Sequence, residues 1–157
     1  MKQHTLLMPL DMHLHLRDGV MLENIAALSA YSFSGAIIMP NLVPPVSTKE
    51  ERIAYTDRIL HASGVEAADE ELDEFADNGG FEPYMTLFYK NYDKAFLESV
   101  ADEITAIKLY PAGITTNSEG GVSSFDIEEM RPTLEAMSTL EIPLCVHGEP
   151  DGFVMDR

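Results

Sequence analysis

Short apolar runs alternate with amphipathic stretches along most of the chain. Leu6-Leu7-Met8-Pro9-Leu10 leads into Asp11-Met12-His13-Leu14-His15, and a first strand is predicted from roughly Leu6 to His15. Met21 to Tyr31 carries Leu22, Ile25, Ala26 and Leu28 at near-helical spacing. Gly35-Ala36-Ile37-Ile38-Met39, closed by Pro40-Asn41, is continuous and apolar, which is how a strand covered on both faces reads. After Pro44-Pro45, Ser47-Thr48-Lys49-Glu50 predicts a helix start in which Ser47 caps and Glu50 reaches back. That helix is expected to reach about His61, anchored by Ile53, Ile59 and Leu60.

The second half repeats the alternation. Glu66 to Gly80 is crowded with acids and is expected to be a solvated excursion, with a helical turn or two around Leu72 and Phe75. Phe81 to Tyr89 predicts a third strand. Tyr92 to Ala101 predicts a short helix with Phe96, Leu97 and Val100 on one side, and Ile104 to Tyr110 a fourth strand. A loop rich in Gly, Thr, Ser and Asn follows from Pro111 to Ser124. Asp126 to Leu140 is amphipathic, with Ile127, Met130, Leu134, Met137 and Leu140 in helical register. Pro143-Leu144-Cys145-Val146-His147 predicts the fifth strand.

Strand and helix in strict alternation predict parallel strands joined by right-handed crossovers. An open doubly wound sheet and part of a (β/α)8 barrel both fit. The open sheet usually carries a glycine-rich phosphate loop after its first strand. Here that place holds His15-Leu16-Arg17-Asp18-Gly19. The polar residues of interest sit at strand C-terminal ends, where a barrel builds its active site. The fold class expected is therefore α/β, a partial TIM (β/α)8 barrel with about five parallel strands.

Composition narrows the partners. The 157 residues suit one domain, and a formal net charge of −17 argues against nucleic acid and anionic membrane surfaces. One cysteine, Cys145, excludes an internal disulfide. No apolar run approaches membrane-spanning length and no signal peptide is apparent, so a cytoplasmic location is expected.

The candidate chemistry gathers at the strand ends: His13, His15 and Arg17, then Asn41, Lys108 and His147. Side chains two apart on a strand share a face, so His13 and His15 can form a pair of metal ligands; the alternative is one buried and one exposed histidine with no joint role. Lys108, between Ile107 and Leu109, must be paired, held neutral, modified, or exposed at the strand terminus. His147 can be a ligand or a core histidine. A neutral lysine amine can capture carbon dioxide as a carbamate, an anion able to bridge two cations about 3.5–4 Å apart.

Five motifs carry a family resemblance: Asp11-Met12-His13-Leu14-His15-Leu16-Arg17, Met39-Pro40-Asn41-Leu42-Val43-Pro44-Pro45, Lys108-Leu109-Tyr110-Pro111-Ala112-Gly113, Thr115-Thr116-Asn117-Ser118 and Val146-His147-Gly148-Glu149. In this order the chain resembles the amidohydrolase superfamily and, within it, the single-function bacterial dihydroorotases. The resemblance implies a metal-dependent hydrolase that converts N-carbamoyl-L-aspartate reversibly to dihydroorotate in pyrimidine biosynthesis. It implies two zinc ions: His13 and His15 on the more buried metal, carboxylated Lys108 as the bridge and catalytic group, and His147 on the second. It implies that Arg17 and Asn41 hold the substrate carboxylate and that Thr115 and Thr116 form the tip of a mobile lid. A homodimer is among the assemblies it implies.

A closed barrel takes about 250 residues. The family's remaining ligand histidine, on strand six, and its aspartate, on strand eight, have no counterpart here, so residues 1–157 are expected to be the N-terminal portion of one (β/α)8 domain, inactive and prone to assemble alone. A hydantoinase- or allantoinase-like enzyme would share His13, His15, Lys108 and His147 but lack the Arg17–Asn41 and Thr115-Thr116 set. A non-catalytic scaffold subunit is the other alternative; such proteins tend to lose ligands.

Overall fold

A computed structural model describes residues 9–64 and 80–149. The predicted start of the first strand at Leu6 and nearly all of the acidic excursion from Glu66 lie outside the described residues. Among the described residues five strands alternate with four helices: β1 (Leu10–Leu14), α1 (Val20–Ser32), β2 (Gly35–Ile38), α2 (Lys49–Ser63), β3 (Glu82–Phe88), α3 (Lys94–Val100), β4 (Ala106–Leu109), α4 (Ile127–Thr139) and β5 (Leu144–Val146). A 3-10 turn, Ala101–Glu103, follows α3.

The strands hydrogen-bond in the order β1-β2-β3-β4-β5. The β1–β2, β3–β4 and β4–β5 pairs are parallel. Spatial order equal to chain order is the order of a (β/α)8 wall, whereas a doubly wound sheet reverses at a switch point. The partial-barrel expectation holds on this ground.

Two compact units divide the chain: residues 1–39 with 53–84, and residues 40–52 with 85–157. In the first, Leu10 pairs with Gly35 and Leu14 with Ile38. Gly35 permits a close approach, because a Cβ there would lie 2.6 Å from the Glu82 carbonyl oxygen and 2.9 Å from the Tyr84 ring. Leu22 and Ala26 of α1, with Tyr55 and Ile59 of α2, are buried. In the second unit β4 lies between β3 and β5, and all four of its residues are buried. Leu97 and Val100 of α3 and Met130, Thr133, Ala136 and Met137 of α4 are buried in the same unit.

Three expectations need correction. The cap of α2 is shifted by one residue. The Glu51 carboxylate, not Glu50, accepts the N–H groups of Ser47 (2.8 Å) and Thr48 (3.0 Å), and the Thr48 hydroxyl accepts from the Glu51 N–H (3.2 Å). Thr48 and Glu51 have the same box spacing as Ser47 and Glu50, and the helix takes the later frame because it begins at Lys49. With Tyr55 and Ile59 buried one turn apart, Ile53 falls on the opposite side of α2 and is 42% exposed rather than an anchor. In α4, Ile127 stands exposed in the first turn, behind the Asp126 cap, while Thr133 takes a core position and donates to the Tyr92 carbonyl at 2.9 Å.

The Glu51 cap gives a pH-dependent prediction. Burial pushes its carboxyl up, but the hydrogen bonds from Ser47 and Thr48 outweigh this and hold it below the ordinary value of 4.5. A depressed acid contributes stability that is present above its unfolded pKa and is lost as pH falls through the folded value. Glu51→Ala is expected to cost about 1 kcal/mol near neutral pH, and the deficit should shrink in acid, as read by denaturation at both conditions.

Candidate metal and substrate site

β1 ends one residue before His15, and the predicted pairing of its imidazoles is present. The Nε2 atoms of His13 and His15 lie 3.1 Å apart, with ring centroids 5.0 Å apart. Two nitrogens each about 2.0–2.1 Å from one zinc ion stand about 2.9–3.4 Å apart for bond angles between square and tetrahedral. The pair therefore fits one cation. The same spacing also serves a hydrogen bond in which one ring donates and the other accepts.

Beyond Leu16, whose side chain is fully buried, the chain turns sharply. Arg17 has φ 62°, a left-handed conformation that costs a non-glycine residue about 1–2 kcal/mol. The Tyr55 hydroxyl donates to the Arg17 carbonyl at 2.8 Å. Arg58 clamps Asp18 through Nε at 3.0 Å and Nη2 at 2.9 Å. Arg17 Nη1 is buried with no hydrogen-bond partner among the described residues.

The other expected residues belong to the second unit. Lys108 is 2% exposed. Burial holds its ammonium below the ordinary lysine value, opposed by the nearby Cys145 side chain. It makes no hydrogen bond among the described residues, and its Nζ lies 5.3 Å from the Tyr110 ring centroid. In the register of β4 and β5, Lys108 faces Cys145 and Leu109 faces Val146. His147 follows directly, donating its backbone N–H to the Leu109 carbonyl at 3.0 Å. Its ring stacks on Tyr110 with centroids 6.1 Å apart, and its Nε2 lies 2.8 Å from Glu149 Oε2. Lys108 and His147 thus flank a common tyrosine. The carboxylate bound to Nε2 leaves Nδ1 as the second ring nitrogen, the arrangement by which carboxylates orient ligand histidines.

Asn41 is buried and ties together the loop that the sequence marks as a lid. Its side-chain amide donates to the Thr116 carbonyl at 2.8 Å and accepts from the Tyr110 hydroxyl at 3.2 Å. Asn117 Nδ2 donates to the Asn41 carbonyl at 3.1 Å. The Ser118 hydroxyl donates to the Thr115 carbonyl (2.6 Å) and accepts from the Thr115 N–H (2.9 Å). The segment with Thr115 and Thr116 is therefore latched onto Asn41 in this structure.

The first unit brings His13, His15 and Arg17 close in sequence and space. The second links Asn41 to the Thr115-Thr116 loop and sets Lys108 and His147 around Tyr110. Among the described residues, no three His, Cys, Asp or Glu side chains converge as a cation cluster. No described helix is long and apolar enough to cross a membrane.

No protein-family model matches the chain. Among curated proteins, a dihydroorotase of Agrobacterium fabrum is 45% identical over 169 residues, spanning 100% of this chain and 43% of that protein. A dihydroorotase of Ruegeria sp. is 46% identical across 92% of this chain and 39% of its own length. Among solved structures, the dihydroorotase of Campylobacter jejuni superposes with a TM-score of 0.81 at 61% identity, over 95% of this chain and 40% of that one. The chain belongs to the dihydroorotases. It corresponds to the N-terminal portion of one and spans about 43% of the length of the first curated relatives. A Saccharomyces cerevisiae dihydroorotase in complex with 5-fluoroorotic acid matches with a TM-score of 0.74 at 30% identity, covering 96% of this chain and 38% of that one. An L-hydantoinase of Arthrobacter aurescens matches at 0.59 and 14% identity, covering 90% and 29%, a likeness of fold alone.

Sequence reasoning about this dihydroorotase relative missed the residues that hold Arg17. Tyr55 and Arg58 lie one turn apart on α2, where they read as a core aromatic and a surface charge. The only cue was Asp18, an acid beside the candidate arginine in the Arg17-Asp18-Gly19 turn.

Proposed function

We propose that residues 1–157 are the N-terminal portion of a single (β/α)8 amidohydrolase domain. The whole protein is a dihydroorotase, interconverting N-carbamoyl-L-aspartate and dihydroorotate in de novo pyrimidine synthesis. The observation that carries this reading is Lys108, a lysine on a fully buried strand with no hydrogen bond among the described residues. A plain barrel wall has no use for such a group, whereas an amine that forms a carbamate must first be neutral. The Saccharomyces cerevisiae relative was solved with 5-fluoroorotic acid, a ring carboxylate, which supports the substrate class.

His13 and His15 would hold one zinc ion, carboxylated Lys108 would bridge to a second, and His147 would hold that second ion. When bound, the metals supply Lewis-acid activation of water and the ring carbonyl. Arg17 offers its planar fork to the substrate carboxylate, in keeping with its buried Nη1, which has no hydrogen-bond partner among the described residues. Asn41 has one amide hydrogen committed to Thr116 and offers the other to the same carboxylate. Thr115 and Thr116 cover the substrate. The remaining histidine and aspartate fall outside residues 1–157. The expected setting is the cytoplasm.

The test is an assay of the full-length gene product beside the isolated 157-residue chain. The full-length protein is expected to turn over dihydroorotate and not hydantoin or allantoin. The isolated chain should show no turnover and should self-associate, since Leu144 and Val146 of β5 are exposed. Turnover by the isolated chain, or a preference for hydantoin, would overturn the reading.

A further inference from the structure

We propose that Tyr55 and Arg58 are positioning residues that hold Arg17 in its left-handed backbone conformation with the guanidinium poised for the substrate carboxylate. The inference rests on the reading of Arg17 as the carboxylate anchor and adds how α2 sets its geometry.

The observations that support it lie in one unit. Arg17 has φ 62°, which a residue with a Cβ rarely adopts without outside constraint. The constraint is applied at its carbonyl, which accepts a 2.8 Å hydrogen bond from Tyr55. Tyr55 is fully buried, and burial raises its phenol well above the ordinary value, so the hydroxyl remains a donor throughout the working pH range. The following residue, Asp18, is gripped by two nitrogens of Arg58, and the Arg58 guanidinium lies 5.3 Å from the Tyr55 ring centroid. Asp18 Oδ1 also accepts the Gly19 N–H at 2.9 Å, which continues the turn into α1. The Arg17 carbonyl and the Asp18 side chain are thereby anchored, while Nη1 stays buried with no hydrogen-bond partner among the described residues.

A guanidinium recognises a carboxylate through two parallel hydrogen bonds, and an error of about 1 Å spoils one of them. A buttress on the backbone should therefore act on binding of the carboxylate and not on the reacting ring amide. The test uses the full-length, metal-loaded protein and two substrates: dihydroorotate, and the same ring lacking the carboxylate. Tyr55→Phe is expected to raise KM for dihydroorotate about 3–10-fold, the worth of one neutral hydrogen bond, with kcat within about twofold. The carboxylate-free ring should be processed by Tyr55→Phe and wild type alike. Arg58→Met, at a surface-exposed position, should act in the same sense and serves if Tyr55→Phe does not fold. The exchange Asp18→Arg with Arg58→Asp should restore KM.

An unchanged KM in both single variants overturns the proposal, as does an equal loss on both substrates, which would mark a general loss of fold. Arg17→Ala separates the two levels. If it raises KM while Tyr55→Phe and Arg58→Met do not, only the buttress fails. If Arg17→Ala itself leaves KM unchanged, the carboxylate reading fails and the proposal falls with it.

Discussion

In the full-length protein, Lys108→Met is expected to lower the proposed dihydroorotase turnover by about 10³-fold or more while raising the melting temperature of the metal-free form. The two effects have one source. Every residue of β4 is buried, and Lys108 is the only one with a charge to desolvate. Among the described residues no carboxylate offsets its charge; burial pushes its ammonium down, and the Cys145 side chain only partly opposes this. Methionine keeps most of the volume and removes the polar head. Replacing a buried, unpaired polar group in this way should gain about 1 kcal/mol, or about 2–4 °C. With metal bound the sign should reverse, because the proposed bridge is gone and the cations no longer favour the native state. Thermal melts with and without zinc, together with metal content by elemental analysis, would check all three statements. A variant that keeps full metal content and activity would remove Lys108 from the site.

The parts of the fold that were legible from sequence are those where one local rule decides. Ala106-Ile107-Lys108-Leu109 reads as a doubly covered strand, and it lies between β3 and β5 with every side chain buried. The runs from Tyr92 and from Asp126 read as helices and both helices form, with Asp93 and Asp126 as the capping residues that the pattern alone did not single out. The His13–His15 pairing follows from strand periodicity alone. What failed had two competing local solutions. Ser47 with Glu50 and Thr48 with Glu51 have equal spacing, and only the tertiary frame of α2 selects the second. That same frame turns Ile53 outward.

The site was legible as a set of residue types but not as a set of attachments. Asn41 reads as a substrate donor, yet its strongest described bonds run to Thr116 and Tyr110, partners about 70 positions away that no local pattern connects. Arg17 reads as a lone cation, and its φ of 62° has no signature in a stretch where glycine comes two residues later. Tyr55 shows why: a hydrogen bond from a helix to a backbone carbonyl leaves no mark on the residue that accepts it.

Gly121→Ala should release the Thr115–Ser118 segment from Asn41 and destabilise the protein by about 3 kcal/mol, the upper part of the range for overpacking against groups that cannot move aside. A Cβ at this position would lie 2.4 Å from the Tyr110 carbonyl oxygen and 2.9 Å from the Ser118 carbonyl oxygen. Both are backbone atoms already in use. The Tyr110 carbonyl accepts from the Val122 N–H at 2.8 Å, and the Ser118 carbonyl accepts from the N–H groups of Gly113 (3.0 Å) and Gly121 (2.8 Å). Relieving the clash means opening these bonds, and Ser118, whose hydroxyl shapes the Thr115 turn, moves with them. The neighbouring Gly120 supplies the control, since a Cβ there meets nothing within 4 Å. Gly120→Ala should stay within about 0.5 kcal/mol of wild type. Denaturant melts of the two variants should separate them, and KM for dihydroorotate should rise only in Gly121→Ala if the latched segment covers the substrate. Equal behaviour of the two alanines would show that the loop yields freely, and the Asn41 latch would then be too weak to shape the site.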